Sequence, residues 1–185
     1  MILRKVGWLL AAGAALALVA AACGTPAAAP VKTPSGPPHV AAASQLAAGK
    51  YLVLAAGCND CHTGGPWDAS NGKLPTSQWL EGNPVGFDMG PPFGTTYAPN
   101  LRLDVGKMTQ QQFLKLFRES PQQSGIKPPM PIMDYVYLSN QDLKAIYAFI
   151  KSLGPAGKAM PKDLPPGVTP KTPYVIMAPQ NLPKS

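Results

Sequence analysis

The chain has 185 residues, room for one compact domain with extensions and too few for a large multidomain enzyme. Hydrophobic residues make up 45%, enough for a core, but the 23 prolines are more than twice the ordinary share, which argues against a β-sandwich or a helical solenoid. The formal charge of +7 falls to +5 without Arg4 and Lys5, and the remaining basic residues stand singly from Lys32 to Lys184, so no nucleic-acid footprint is present.

In chain order, Arg4 and Lys5 precede an uncharged run from Val6 to Ala22, the pattern of an export signal over residues 1–22. Ala20-Ala21-Ala22 before Cys23 resembles a lipobox, which would make Cys23 a lipid-modified N-terminus. An uncleaved anchor and ordinary signal cleavage are the alternatives, and each leaves the following domain outside the cytoplasmic membrane. Residues 23–43 are dominated by Ala, Pro, Gly, Thr and Ser, too poor in large apolar side chains to offset the entropy of ordering, and are expected to form a linker in which His39 is solvated.

Ser44 can cap a helix running to about Ala56, with Leu46, Tyr51, Leu52 and Leu54 as its apolar face and Gly57 as its stop. A second helix is predicted from Thr109 to Glu119, opened by a Thr109/Gln112 capping box. A third spans Ser139 to Leu153, with Asp142 three residues after the capping serine and Leu143, Ile146, Tyr147 and Ile150 on one face. The domain over residues 44–154 is therefore expected to be all-α, with long Gly/Pro-rich loops and a Pro-rich extended tail over 155–185.

The chemistry rests on Cys58-Asn59-Asp60-Cys61-His62, the attachment pattern for c-type haem. Two cysteines three apart can each bond one vinyl edge of the porphyrin, and the adjacent histidine is carried beneath the iron. A zinc site lacks a second ligand pair, since only Cys23 and His39 remain, and a thioredoxin-like redox pair lacks its βαβ context. A sixth ligand is expected from Lys127-Pro128-Pro129-Met130-Pro131-Ile132-Met133, where Met130 stands in a proline bracket that would stiffen its loop, with Met133 as second choice.

These stretches together resemble class I c-type cytochromes, and more narrowly the haem domains in cytochrome c subunits of bacterial membrane-bound alcohol and sugar-acid dehydrogenases. Ala48-Gly49-Lys50-Tyr51-Leu52, Phe93-Gly94-Thr95-Thr96-Tyr97-Ala98-Pro99-Asn100-Leu101, Phe113 to Arg118, Pro129-Met130-Pro131 and Leu138 to Phe149 carry the likeness. The resemblance covers about Gln45 to Leu153. It implies the class I cytochrome c fold, covalent haem on Cys58 and Cys61, iron ligation by His62 and Met130, and a crossing of the first and last helices with Gly49 near Tyr147. Those subunits typically carry three C-x-x-C-H motifs and this chain has one, and Asn100-Leu101-Arg102-Leu103-Asp104 departs from their usual Asn-Ile/Leu-Thr-Pro-Asp.

Trp79, Tyr97, Asn100 and Arg102 are candidate donors to haem propionates and equally candidate core aromatics and loop caps. Trp67 is a candidate cover for the haem edge, and Tyr135 and Tyr137 are assigned to the core. No residues remain for hydrolytic or transfer catalysis. The expected function is one-electron transfer by a single haem c, not catalysis, in a membrane-tethered extracytoplasmic domain whose partners are membrane-bound oxidase, reductase or dehydrogenase complexes. The alternatives are a haem enzyme or gas sensor with a displaceable sixth ligand, and a fixed subunit of a larger complex.

Overall fold

The computed structural model describes residues 37–65 and 74–178; Cys23, Trp67, and most of the predicted leader and linker lie outside these. Helix α1 (Gln45–Ala55) begins where expected, with the Ser44 hydroxyl accepting the Ala47 N–H at 3.1 Å. It leads into the short α2 (Cys58–His62). After a loop with a single 3₁₀ turn (Thr76–Gln78) come β1 (Gly86–Asp88), β2 (Thr95–Tyr97), α3 (Leu101–Asp104) and α4 (Gln110–Leu116). The short α5 (Pro121–Ser124) and α6 (Ile132–Tyr135) precede α7 (Asn140–Ser152), and β3 (Tyr174–Ile176) closes the described chain.

The dominant packing is α1 across α7. A Cβ on Gly49 would lie 2.1 Å from the Ala145 carbonyl oxygen and 2.7 Å from the Phe149 Cβ, so only glycine lets the two backbones approach this closely. Gly49 therefore meets Ala145 and Phe149, whereas the resemblance implied Tyr147. Residues 145 and 149 are one helical turn apart on one face, while Tyr147 lies around the helix, its hydroxyl on the Met108 carbonyl and its ring against Phe113. The apolar face expected of α1 also needs correction: Ala48, Gly49, Leu52 and Val53 are buried, while Leu46, Tyr51 and Leu54 are exposed. Close helix approach selects the small residues, and the large ones are left outside.

Helices α4 and α7 start as predicted. Thr109 and Gln112 form the reciprocal capping box, and Ser139 caps α7 through the Asp142 N–H at 3.0 Å. The Asp142 carboxylate accepts both the Ser139 hydroxyl, at 2.8 Å, and the Val40 N–H, also at 2.8 Å. Val40 packs on the core, so the ordered domain begins before Ser44 and the linker is shorter than the composition suggested. The core joins Leu52 and Val53 of α1, Phe113 and Phe117, and Leu143, Ile146 and Phe149 of α7, with Trp79 edge-on to Phe149 at 6.1 Å.

The all-α expectation is corrected by a three-stranded sheet of order β2-β1-β3. β1 pairs antiparallel with β2, Phe87 opposite Thr96, and parallel with β3, Phe87 opposite Val175. Strands of three residues are too short to leave a readable alternation, and β3 lies in the proline-rich tail. That tail does not trail away: residues 155–178 run back over the segment from Glu81 to Asn100 as a strap, with the Leu164 N–H and carbonyl pairing both ways with Thr95 at 2.9 and 3.0 Å.

Candidate functional site

Gly57, at φ +69°, turns the chain sharply out of α1 in the left-handed region that glycine adopts without strain, and α2 follows at once with Cys58, Cys61 and His62. Both thiols are free. Burial pushes the Cys58 thiol up to about 12, with the neighbouring Cys61 and Asp60 adding to the effect, and burial likewise raises Cys61. The pair is therefore held as neutral thiols, without the depressed thiolate of a disulfide-exchange site.

His62 is buried, and its Nδ1–H donates to the Pro99 carbonyl at 2.8 Å. Desolvation lowers its pKa, with the Pro99 bond opposing, so the ring is neutral near pH 7. A proton committed to Nδ1 leaves the lone pair on Nε2, the tautomer a metal-ligating histidine needs. The turn carrying it is braced from behind. The Thr63 hydroxyl donates to the Asn59 side-chain oxygen and accepts the Leu80 N–H at 2.9 Å, and the His62 carbonyl accepts the Gly82 N–H at 2.7 Å.

The methionine segment is tied to the element that holds the histidine. Thr96 of β2, three residues before Pro99, donates its hydroxyl at 2.9 Å to the carbonyl of Pro128, two residues before Met130. Met130 is half-buried against the core, whereas Met133 is 64% exposed. Tyr135 is buried, its hydroxyl on the Ala56 carbonyl at the end of α1, and burial together with the nearby Cys58 and Cys61 raises its pKa well beyond the usual phenol range. Tyr137, assigned to the core from sequence, is 87% exposed, because it lies past the end of α6.

Of the four polar candidates, Tyr97 and Asn100 bond the strap, Arg102 bonds the end of α7 just before it, and Trp79 bonds Leu74. Trp79 Nε1 donates to the Leu74 carbonyl at 2.8 Å, and the Tyr97 hydroxyl meets Thr172 Oγ1 at 2.9 Å. Asn100 Nδ2 donates to the carbonyls of Ala156 and Lys158 at 2.8 and 3.2 Å, while its Oδ1 caps α3 at Leu103 N. The buried Arg102 guanidinium serves the Gly154, Ser77 and Leu153 carbonyls and pairs with Glu81 at 3.1 Å. Each of these side chains has a hydrogen-bond partner within the protein. His39 bonds locally, through Nδ1 at 3.2 Å from the Pro37 carbonyl.

Sequence reasoning missed Thr96 and Asp163, which join the loops around the site. Thr96 stood inside a quoted motif without a role, and Asp163 carries no local signal, being one acidic residue in a proline-rich stretch.

Two neutral thiols and one imidazole of fixed tautomer on a single turn fit covalent haem c and suit neither zinc nor a redox dithiol. Among the described residues no group of three or more His, Cys, Asp or Glu side chains could hold a metal ion, and no helix is long and apolar enough to cross a membrane.

Over 133 residues the chain is 32% identical to the cytochrome subunit of a fructose dehydrogenase from Gluconobacter japonicus, covering 69% of this chain and 23% of the relative. Over 109 residues it is 29% identical to the cytochrome c subunit of a quinone alcohol dehydrogenase from Gluconobacter oxydans, 55% of this chain and 20% of the relative. A diheme c-type cytochrome of Cereibacter sphaeroides is 31% identical over 163 residues, 84% of this chain and 52% of the relative. The chain thus spans from about a fifth to about half of these relatives. No protein-family model and no solved structure matches it.

Proposed function

We propose, from the likeness of this chain to the c-type cytochrome domains of those dehydrogenase subunits, that it is a monohaem electron carrier tethered outside the cytoplasmic membrane. The observation that carries the reading is the His62 ring, buried, neutral and fixed by the Pro99 carbonyl so that Nε2 is available to iron. Cys58 and Cys61 would hold the haem, His62 and Met130 would ligate its iron, and the bound haem would supply a one-electron couple. The protein's own share is positional. Pro99 sets the imidazole tautomer, Thr96 holds the loop ahead of Met130, and the core of α1, α4 and α7 excludes water. With His62 and Met130 both as ligands the iron would have no place for a substrate, and that would separate a carrier from the haem enzyme or gas sensor.

Residues 1–22 are the export signal in this reading, Cys23 is the lipid anchor, and the linker lets the domain reach membrane-bound oxidase, reductase or dehydrogenase partners. A second reading, a fixed subunit of one dehydrogenase complex, is favoured by the names of the relatives. Deleting residues 26–36 with Cys23 retained distinguishes the two: a mobile carrier slows between membrane complexes, a docked subunit does not.

The ligand set is tested by substitution. Cys58→Ala or Cys61→Ala should abolish the usual covalent haem stain on a denaturing gel, and full-strength stain would reject the attachment site. Met130→Ala should remove the weak near-infrared sulfur-to-iron band and lower the midpoint potential, while Met133→Ala should leave both in place.

A further inference from the structure

The strap of residues 155–178 meets the candidate site through one side chain that bonds two separate segments at once. Asp163 Oδ1 accepts the Tyr97 N–H of β2 at 3.1 Å, and Oδ2 pairs with Lys127 Nζ at 2.9 Å. Its position is preset by the neighbouring residue, because Leu164 pairs with Thr95 through both backbone groups. Three successive residues of β2 therefore have three distinct attachments: Thr95 to the strap backbone, Thr96 to the Pro128 carbonyl and Tyr97 to the strap carboxylate. The second arm of that carboxylate returns to Lys127, next to Pro128. The segment ahead of Met130 is thus tied to β2 twice, directly by the Thr96 hydroxyl and indirectly through Asp163.

We propose that Asp163 is a positioning residue for the sixth ligand: through Lys127 and Tyr97 the strap holds the methionine loop against the element that fixes His62. This rests on the reading of Met130 as the axial ligand. A thioether is a weak donor on a flexible side chain, so its occupancy of the iron depends on how tightly the surrounding loop is held. The carboxylate supplies charge-assisted bonds on both sides, and the Tyr97 N–H, in a residue only 8% exposed, loses its acceptor if Asp163 is removed. The exposed ion pair alone would stabilise the fold little. Its consequence is local, at the loop it anchors.

The experiment compares four holoprotein variants by near-infrared band intensity, midpoint potential and the rate of carbon monoxide binding to the ferrous form. Met130→Ala is the reference and should lose the band and bind carbon monoxide fastest. Asp163→Ala and Lys127→Met should each weaken the band, lower the potential and speed carbon monoxide binding, roughly tenfold for Asp163→Ala, the effect of one charge-assisted hydrogen bond of ordinary worth. Lys115→Met breaks an exposed ion pair with Glu119 that touches neither segment and should match the unaltered protein. Wild-type values in Lys127→Met, or equal shifts in Lys115→Met, would overturn the proposal. If Asp163→Ala fails to fold, Lys127→Met, a change at a half-exposed side chain, decides alone. A Met130→Ala protein that keeps its band removes the ligand assignment and the clamp with it, whereas loss there with no effect at Lys127 removes only the clamp.

Discussion

The helical half of the molecule and the strapped half are stabilised in different ways. Where α1 crosses α7, apolar side chains such as Leu52, Leu143 and Phe149 are nearly inaccessible, and the contact depends on shape, with one glycine setting the separation. Where the strap crosses the segment from Glu81 to Asn100, the contacts are mostly polar. Buried Thr95, Asn100 and Arg102 meet backbone carbonyls of residues that are themselves exposed or half-exposed. The first region tolerates no added volume, and the second no lost hydrogen bond. The candidate site lies between them, its cysteines at the end of α1 and its histidine held by Pro99 of the strapped segment.

The largest expected effect tests the helical half. Gly49→Val places a branched side chain on the Ala145 backbone, which cannot yield as a flexible side chain would, and should cost about 3 kcal/mol or more. Chemical denaturation of the holoprotein reads this, and a cost under about 1 kcal/mol would mean that the helices can separate without penalty.

An intermediate effect belongs to the strap. Asn100→Ala removes the two donations to Ala156 and Lys158 and the cap on Leu103 N, at a cost of about 2 kcal/mol. The helices should survive, so limited proteolysis within residues 155–178 should accelerate while the far-ultraviolet helical signal stays unchanged. If helix and strap are lost together, the two halves form one cooperative unit and the contrast between them fails.

The smallest effect is at a helix start. Ser139→Ala removes the cap on Asp142 N and one bond to the carboxylate that also receives Val40, for about 1 kcal/mol. Amide exchange at Val40 should rise with it, sharpening where the linker ends and the domain begins.

The two halves also differed in how far they could be read from sequence. Cap chemistry is local, so Ser44, Thr109 and Ser139 identified the helix starts directly, and the spacing of Cys58-Asn59-Asp60-Cys61-His62 alone marked the candidate attachment turn. The inward face of α1 was misread because hydrophobicity favours Leu46, Tyr51 and Leu54, while close packing favours Ala48 and Gly49. The strap left no signal. Its partners are backbone groups and single polar side chains far away in sequence, and no periodicity marks a residue such as Asp163 that acts by reaching across 66 positions to Tyr97. The polar quartet of Trp79, Tyr97, Asn100 and Arg102 was singled out as candidate propionate donors or loop caps. Its commitments, to protein carbonyls and to Thr172 and Glu81, required the strap to be seen.

The Val40 amide on the Asp142 carboxylate joins residues 102 positions apart, and the α1 crossing with α7 spans nearly the same stretch of chain. Helices usually pack against near neighbours in sequence, which lets helical proteins fold quickly. Here the first helix gains its partner only after almost the whole domain has been made, and β1 waits nearly as long for β3. Among the described residues most regular structure is helical, yet it carries the long-range connectivity of a β protein, so folding speed is set by loop closure instead of helix formation.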